Sequence, residues 1–95
     1  MFQFLIALIL GTAAALVIYE LYVGYLNYSI ARSLSSEKVK EESLPWDKII
    51  VEEIARGNVS YVKVGIFNRG DKQAEIKINS DNISDDLTTG SVLLT

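Results

Sequence analysis

Acidic side chains close together in the sequence are the groups of this chain that could perform acid–base catalysis or hold a metal ion. Glu52 and Glu53 are adjacent in a predicted strand. Neighbouring side chains of a strand point to opposite faces, so these two carboxylates cannot act on one substrate. Asp81, Asp85 and Asp86 fall in one predicted loop and could hold Ca²⁺, but the spacing and glycine of an EF-hand loop are absent. A solvated loop is the better interpretation, and we predict no metal site.

The composition removes most other catalytic chemistry. The 95 residues include no Cys and no His, so the chain lacks a thiol nucleophile, the commonest general base and the commonest metal ligand. The net charge of −3 argues against a nucleic-acid partner, because such a partner requires a basic surface. We therefore predict a protein that is not an enzyme and that has no cofactor, no catalytic residue, no small-molecule substrate and no nucleic-acid partner.

Three Asn-x-Ser triplets make asparagine the residue type with a predicted covalent modification. The triplets begin at Asn27, Asn58 and Asn82, and this composition predicts roughly 0.7 of them by chance. Asn27 lies close to the apolar amino-terminal run, whereas Asn58 and Asn82 fall in predicted turns where a glycan would be accessible. N-linked glycans at these positions would place the surrounding residues outside the cytoplasm.

The elements that must position these residues begin with an apolar segment. Residues 1–19 carry no charged side chain, and as a helix they would extend about 28 Å at 1.5 Å per residue. This length matches the hydrocarbon core of a bilayer, which is about 30 Å thick. Ala7, Gly11 and Ala15 are spaced by four residues and would form one stripe of small side chains, which favours close packing of helices. The segment predicts a transmembrane helix that packs against other helices.

A helical pattern continues beyond the apolar run and ends before the only proline. Leu26, Ile30 and Leu34 keep a spacing of four residues through a polar background. Pro45 cannot continue a helix, because its ring fixes the backbone and removes a hydrogen-bond donor. We therefore predict one long helix within residues 1–44, whose apolar part, residues 1–19, is a membrane anchor.

Residues 45–95 change to the alternating pattern that is typical of β-strands. Strands are predicted at Lys48–Ala55, Val59–Phe67, Gln73–Asn79 and Ser91–Thr95, separated by turns rich in Gly, Asn and Asp. The predicted fold class is α+β: a long N-terminal hydrophobic α-helix followed by a small antiparallel β-sheet or partial β-sandwich head. The long helix or a neighbouring subunit would cover the apolar face of that sheet.

The charges around the apolar run leave two interpretations open. No basic side chain precedes Arg32, so either Met1 begins a true anchor or a basic leader has been removed. Arg32, Lys38 and Lys40 follow the run, and the positive-inside rule would then keep the head in the cytoplasm, against the glycan interpretation. Removal of a basic leader would reconcile the two, since its charges would have set the orientation.

This layout resembles that of archaeal type IV pilins and the related archaellins, over most of the chain. Val62–Ile78 (VKVGIFNRGDKQAEIKI) is similar to the strand, Asn-x-Gly turn and returning strand of their heads. Leu87–Leu94 (LTTGSVLL) is similar to their closing turn and last strand. The chain departs from the pattern in two respects: no leader or cleavage site is visible, and position 5 is Leu5 where many bacterial pilins carry glutamate.

The resemblance implies a structural function. Subunits would wait in the membrane with residues 1–19 in lipid and would then polymerise through Ala7, Gly11 and Ala15. The product would be a helical homopolymer, an extracellular filament for adhesion or motility, with glycosylated heads at the cell surface. The alternative is a bitopic protein that never polymerises and that anchors a β-domain for an envelope machine or in a virion membrane.

Overall fold

The structure is a computed structural model that describes residues 6–9 and 16–95. These residues form six strands and one helix. The elements, in chain order, are β1 (Ile6–Ile9), β2 (Val17–Leu26), α1 (Tyr28–Glu41), β3 (Lys48–Ala55), β4 (Tyr61–Asn68), β5 (Asp71–Ile83) and β6 (Val92–Leu94). The six strands of the described ranges join one sheet in the order β1-β2-β5-β4-β3-β6.

The sheet is mixed, because β2 joins it in parallel. β3, β4 and β5 form an antiparallel meander, whereas β2 runs parallel to β5, from Val17 opposite Ala74 to Leu26 opposite Ile83. β2 and β3 therefore run in the same direction, and the segment containing α1 is the crossover between them. β1 and β6 lie at the two edges, each antiparallel to its neighbour.

The predicted long N-terminal helix is wrong. Val17–Leu26 form the strand β2, and the helix α1 that follows has only 14 residues. Among residues 6–9 and 16–95, no helix is long and apolar enough to cross a membrane, so the predicted transmembrane helix is wrong as well. Of the small residues predicted to pack helices, Ala7 lies in β1 opposite Tyr19, whereas Gly11 and Ala15 lie outside the described residues.

The physical reason for β2 lies in its own side chains and in its partner. Odd positions from Val17 to Val23 are aliphatic or aromatic, and the even positions between them include Glu20 and Tyr22. This alternation, rich in β-branched and aromatic residues, fits a pleated strand with one buried face. β5 alternates in the same way and runs alongside, so backbone groups of β2 are paired across the sheet instead of along a helix.

The core lies between α1 and one face of the sheet. Side chains of this face stand in cross-strand rows, which is the arrangement that stabilises a sheet. Two rows comprise Tyr19, Ile76, Val64 and Val51, and Leu21, Ile78, Val62 and Ile54. Ala31 and Val39 of α1 join the same buried cluster, together with Leu87 and Leu93 from the end of the chain. The cover that the sheet was predicted to need is therefore supplied by α1.

The helix α1 begins and ends where the sequence provides for it. Asn27 has an extended backbone, and its Oδ1 accepts a hydrogen bond of 2.8 Å from the backbone N–H of Ile30. This contact makes Asn27 the N-cap of the helix. At the other end the chain turns away at Ser43, whose φ is +53°, two residues before Pro45.

The strands predicted after Pro45 are confirmed as elements. β3 has the predicted bounds, Lys48–Ala55, and β5 extends the prediction for residues 73–79 at both ends to Asp71–Ile83. The predicted antiparallel sheet is corrected to a mixed one, because the parallel strand β2 comes from the segment that was expected to be helical.

Candidate functional site

The face of the sheet opposite α1, called the outer face below, carries a row of charged side chains. Glu20, Lys77, Lys63 and Glu53 are neighbours in register across β2, β5, β4 and β3. Lys77 lies 4.0 Å from Glu20, and Lys63 lies 3.5 Å from Glu53. The two lysines in the middle of the row share the ring of Tyr61, whose centroid is 4.7 Å from Lys77 Nζ and 5.8 Å from Lys63 Nζ.

A second group on the outer face is more tightly held. The ammonium of Lys72 lies 2.7 Å from Glu52 Oε1 and 2.9 Å from Glu75 Oε1. Burial acts on the pKa of Lys72 most strongly and lowers it, but the hydrogen bonds to both carboxylates outweigh burial and raise the pKa above its usual 10.5. The lysine therefore keeps its charge and neutralises two acids that lie side by side.

The structure corrects the prediction that Glu52 and Glu53 point to opposite faces. The register of β3 against β4 shifts between Val51 and Glu53, as at a β-bulge. A bulge adds one residue and interrupts the alternation of side chains. Consequently both glutamates reach lysines of the outer face, Glu52 reaching Lys72 and Glu53 reaching Lys63.

Gly65 makes room for this arrangement. A Cβ at position 65 would lie 2.6 Å from Glu52 Cδ and 2.7 Å from the Phe67 ring, so the glutamate and the ring occupy the space of the missing side chain. We expect Gly65→Ala to lower the free energy of unfolding by about 1–2 kcal/mol, because it displaces Glu52 from Lys72. Urea denaturation checks this. Gly24→Ala in β2 is the control, since nothing lies within 4 Å of its Cβ position; equal losses in the two variants would contradict the crowding at Gly65.

All three Asn-x-Ser asparagines come together at one end of the sheet, called the sequon end below. Asn82 lies near the end of β5, opposite Tyr25 of β2, and Asn27 follows the last residue of β2. Asn58 lies in the turn from β3 to β4, and the carbonyl of Ser60 in the same triplet accepts a 3.1 Å hydrogen bond from the Ser80 N–H. Asn58 and Asn82 are exposed, whereas Asn27 is partly buried.

A cleft of about 300 Å³ opens at the sequon end. Tyr22, Asn58, Asn79 and Asp81 contribute to its lining, together with the backbone of the β3–β4 turn. Tyr22 is 63% exposed, and its hydroxyl donates a 2.5 Å hydrogen bond to Asp81 Oδ2. This hydrogen bond raises the pKa of Tyr22, since the phenol is needed as a proton donor. Val59, also 63% exposed, adds an apolar surface beside the cleft.

The acidic residues that were considered for Ca²⁺ make separate contacts. Asp81 accepts from Tyr22, Asp85 lies 3.8 Å from Arg56, and Asp86 Oδ1 accepts a 3.0 Å hydrogen bond from the first N–H of α1. Within the residues that the structure describes, no three acidic side chains are grouped so that they could hold a metal ion. Asp81 lies in β5 and not in the predicted loop, and it contacts β2. Asp85 and Asp86 connect the loop after β5 to the β3–β4 turn and to α1.

Sequence reasoning identified the three asparagines but missed Tyr22. Tyr19, Tyr22, Tyr25 and Tyr28 recur at intervals of three, and on the expected helix the first two fit an interfacial aromatic belt. The signal that could have found Tyr22 is its separation of two residues from Glu20, which places both side chains on the outer face of a strand.

Comparisons with protein-family models, with curated proteins and with solved structures find no match to this chain. The resemblance to archaeal pilins therefore has no support beyond the quoted sequence patterns.

Proposed function

We propose that this chain is a non-catalytic structural domain displayed at the cell surface, with N-linked glycans at one end of its sheet. The observation that carries the proposal is the convergence of Asn27, Asn58 and Asn82 at the sequon end. The triplets are separated by 31 and 24 residues along the chain, and the pairing of β5 with β2 on one side and with β4 on the other brings them together.

The position of the triplets suits a bulky, solubilising modification. Asn58 and Asn82 are exposed and lie beyond the cluster of buried aliphatic side chains, so attached glycans would not disturb the core. At Asn27 the helix cap uses the side-chain oxygen, whereas a glycan is attached to the nitrogen. Glycans at these sites would cover one end of the domain and leave its opposite end uncovered.

The outer face supports a structural rather than a catalytic function. Its lysines and glutamates pair with one another across the strands, at N–O distances from 2.7 to 4.0 Å. Catalytic acids and bases usually have protonation equilibria tuned for proton transfer, whereas these charges neutralise their neighbours. A face of this kind keeps a sheet hydrated and discourages association through that face.

The proposal keeps part of the function expected from the sequence. The filament hypothesis included a structural protein at the cell surface with glycosylated heads, and these two features are retained. Polymerisation through a long N-terminal helix is not retained, because residues 17–26 form β2 and Ala7 lies in β1.

Two measurements test the proposal on protein made in its own cells. We expect glycopeptides containing Asn58 and Asn82 in mass spectrometry, and their loss in Ser60→Ala and Ser84→Ala, which remove the hydroxyls of the two triplets. Because the chain has no cysteine, Val59→Cys introduces a single thiol at an exposed position and leaves the Asn58 triplet intact. A membrane-impermeant maleimide should label this thiol on intact cells.

Ile76→Cys is the matched control for the labelling, since Ile76 is fully buried and its thiol should react only after denaturation. Unmodified peptides at both asparagines, together with labelling of Val59→Cys only after cell lysis, would contradict display at the cell surface.

A further inference from the structure

We infer that the cleft at the sequon end binds the first sugar of the glycan on Asn58, and this binding site is called the seat below. The ring of Tyr22 forms the apolar floor of the seat. This inference rests on the proposed function, because it requires that Asn58 carry a glycan. It adds a binding function to the cleft and names its ligand class, a pyranose attached to the chain itself.

Asn58 lies at the cleft itself. Asn58 is one of the residues that line the cleft, so a sugar linked to its side-chain nitrogen enters the cleft or its rim. The volume of about 300 Å³ is at the small end of the range for ligand clefts and suits one or two sugar units. Asn27 and Asn82 are not among the residues that form this lining.

The chemistry of the lining also suits a sugar. A pyranose has one face of C–H groups and an edge of hydroxyl groups, so it requires an aromatic ring beside polar acceptors. Tyr22 provides an exposed ring, whose negative face attracts C–H groups. Asp81 Oδ2 accepts a hydrogen bond from the Tyr22 hydroxyl. A carboxylate has further lone pairs, so Asp81 can also accept a hydrogen bond from a sugar hydroxyl.

The ring of Tyr22 is held in place before a sugar binds. The hydrogen bond from Tyr22 to Asp81 joins β2 to β5, and the backbone on both sides is part of the sheet. A ring that is already ordered loses little conformational entropy when a ligand packs against it, so the contact retains more of its favourable energy.

A thermodynamic cycle tests the seat. Four proteins, each made in cells that glycosylate it, are compared by thermal melting: the unaltered protein, Tyr22→Ala, Asn58→Gln and the double variant. We expect Tyr22→Ala to lower the melting temperature by about 4 °C more when Asn58 is present than when it is replaced, since the glycan contact is lost only in the first case. Tyr22→Phe keeps the ring and should retain most of this difference.

Tyr25→Ala is the matched control, because Tyr25 is an exposed tyrosine of the same strand that does not line the cleft. Tyr25→Ala should lower the melting temperature by the same amount whether Asn58 is present or replaced. If Asn58 is glycosylated and the two substitutions act additively, the seat is wrong while the proposed function stands. If mass spectrometry finds no glycan on Asn58 but finds one on Asn82, the seat is again wrong; absence at both sites contradicts the proposed function itself.

Discussion

Tyr19→Ala is expected to lower the free energy of unfolding by about 3 kcal/mol, as truncation of a buried aromatic side chain generally does. Tyr25→Ala, in the same strand, is expected to cost less than about 1 kcal/mol. Tyr19 is 7% exposed and stands between Ala7 of β1 and Ile76 of β5, whereas Tyr25 is 51% exposed. Urea denaturation followed by circular dichroism, on unglycosylated protein, measures both losses.

Further contacts make the loss at Tyr19 specific to this fold. The ammonium of Lys38, in α1, lies 5.3 Å from the centroid of the Tyr19 ring. Burial and the carboxylate of Glu42 raise the pKa of Tyr19, in that order, which is consistent with a phenol held under the end of α1. Equal losses in Tyr19→Ala and Tyr25→Ala would contradict the burial of the Tyr19 ring beneath α1, because Tyr25 is exposed.

The strands after Pro45 could be predicted because their pattern is local. In β5 aliphatic side chains alternate with charged or polar ones, β3 and β4 are rich in β-branched residues, and turns containing Gly57 or Gly70 separate the three strands. Both glycines have positive φ, which glycine adopts without strain. The pattern of such segments can be recognised within a few residues, so the sequence alone is sufficient to predict these strands.

The strand β2 could not be predicted in the same way. Its alternation is masked because Ile18 on the outer face is also apolar, and the preceding residues carry no charge. A continuous apolar run fits a buried strand and a spanning helix equally well by periodicity. What decides in favour of the strand is β5, whose Ile76 pairs with Tyr19 from 57 residues away, and no local pattern contains that information.

The candidate site could likewise be predicted only in part. The three asparagine triplets are visible in the sequence, but their meeting at one end follows from the parallel pairing of β2 with β5. Likewise, Glu52 and Glu53 could be identified as a pair, but the bulge that turns both to the outer face could not. Residue types were predictable here, and juxtapositions that depend on distant pairing or on an irregular backbone were not.

Lys72→Met is expected to lower the free energy of unfolding by about 2 kcal/mol at pH 7. The substitution leaves Glu52 and Glu75 beside each other without the ammonium that now lies within 2.9 Å of both. Removing one member of a fully buried ion pair costs about 3–5 kcal/mol, and the partial exposure of Lys72 and Glu52 reduces that value through solvent screening. Lys72→Arg retains the charge and should recover most of the loss.

The pH dependence of the stability loss in Lys72→Met distinguishes lost ion pairs from lost packing. The pKa of Lys72 is raised in the folded protein, so its stabilising contribution is complete below about pH 10.5 and is lost as the pH rises through the folded pKa. The difference in stability between wild type and Lys72→Met should therefore stay constant up to about pH 10 and narrow above it. The raised pKa values of Tyr19, Tyr22 and Tyr61 affect both proteins alike and cancel in this difference.

Lys48→Met provides the control for Lys72→Met, since Lys48 is an exposed lysine of β3 that forms no ion pair with any residue in the described ranges. Its stability should differ from wild type by less than about 0.5 kcal/mol at every pH. A loss in Lys72→Met that persists unchanged to pH 12 would contradict the ion-pair explanation, because a deprotonated lysine no longer neutralises Glu52 and Glu75.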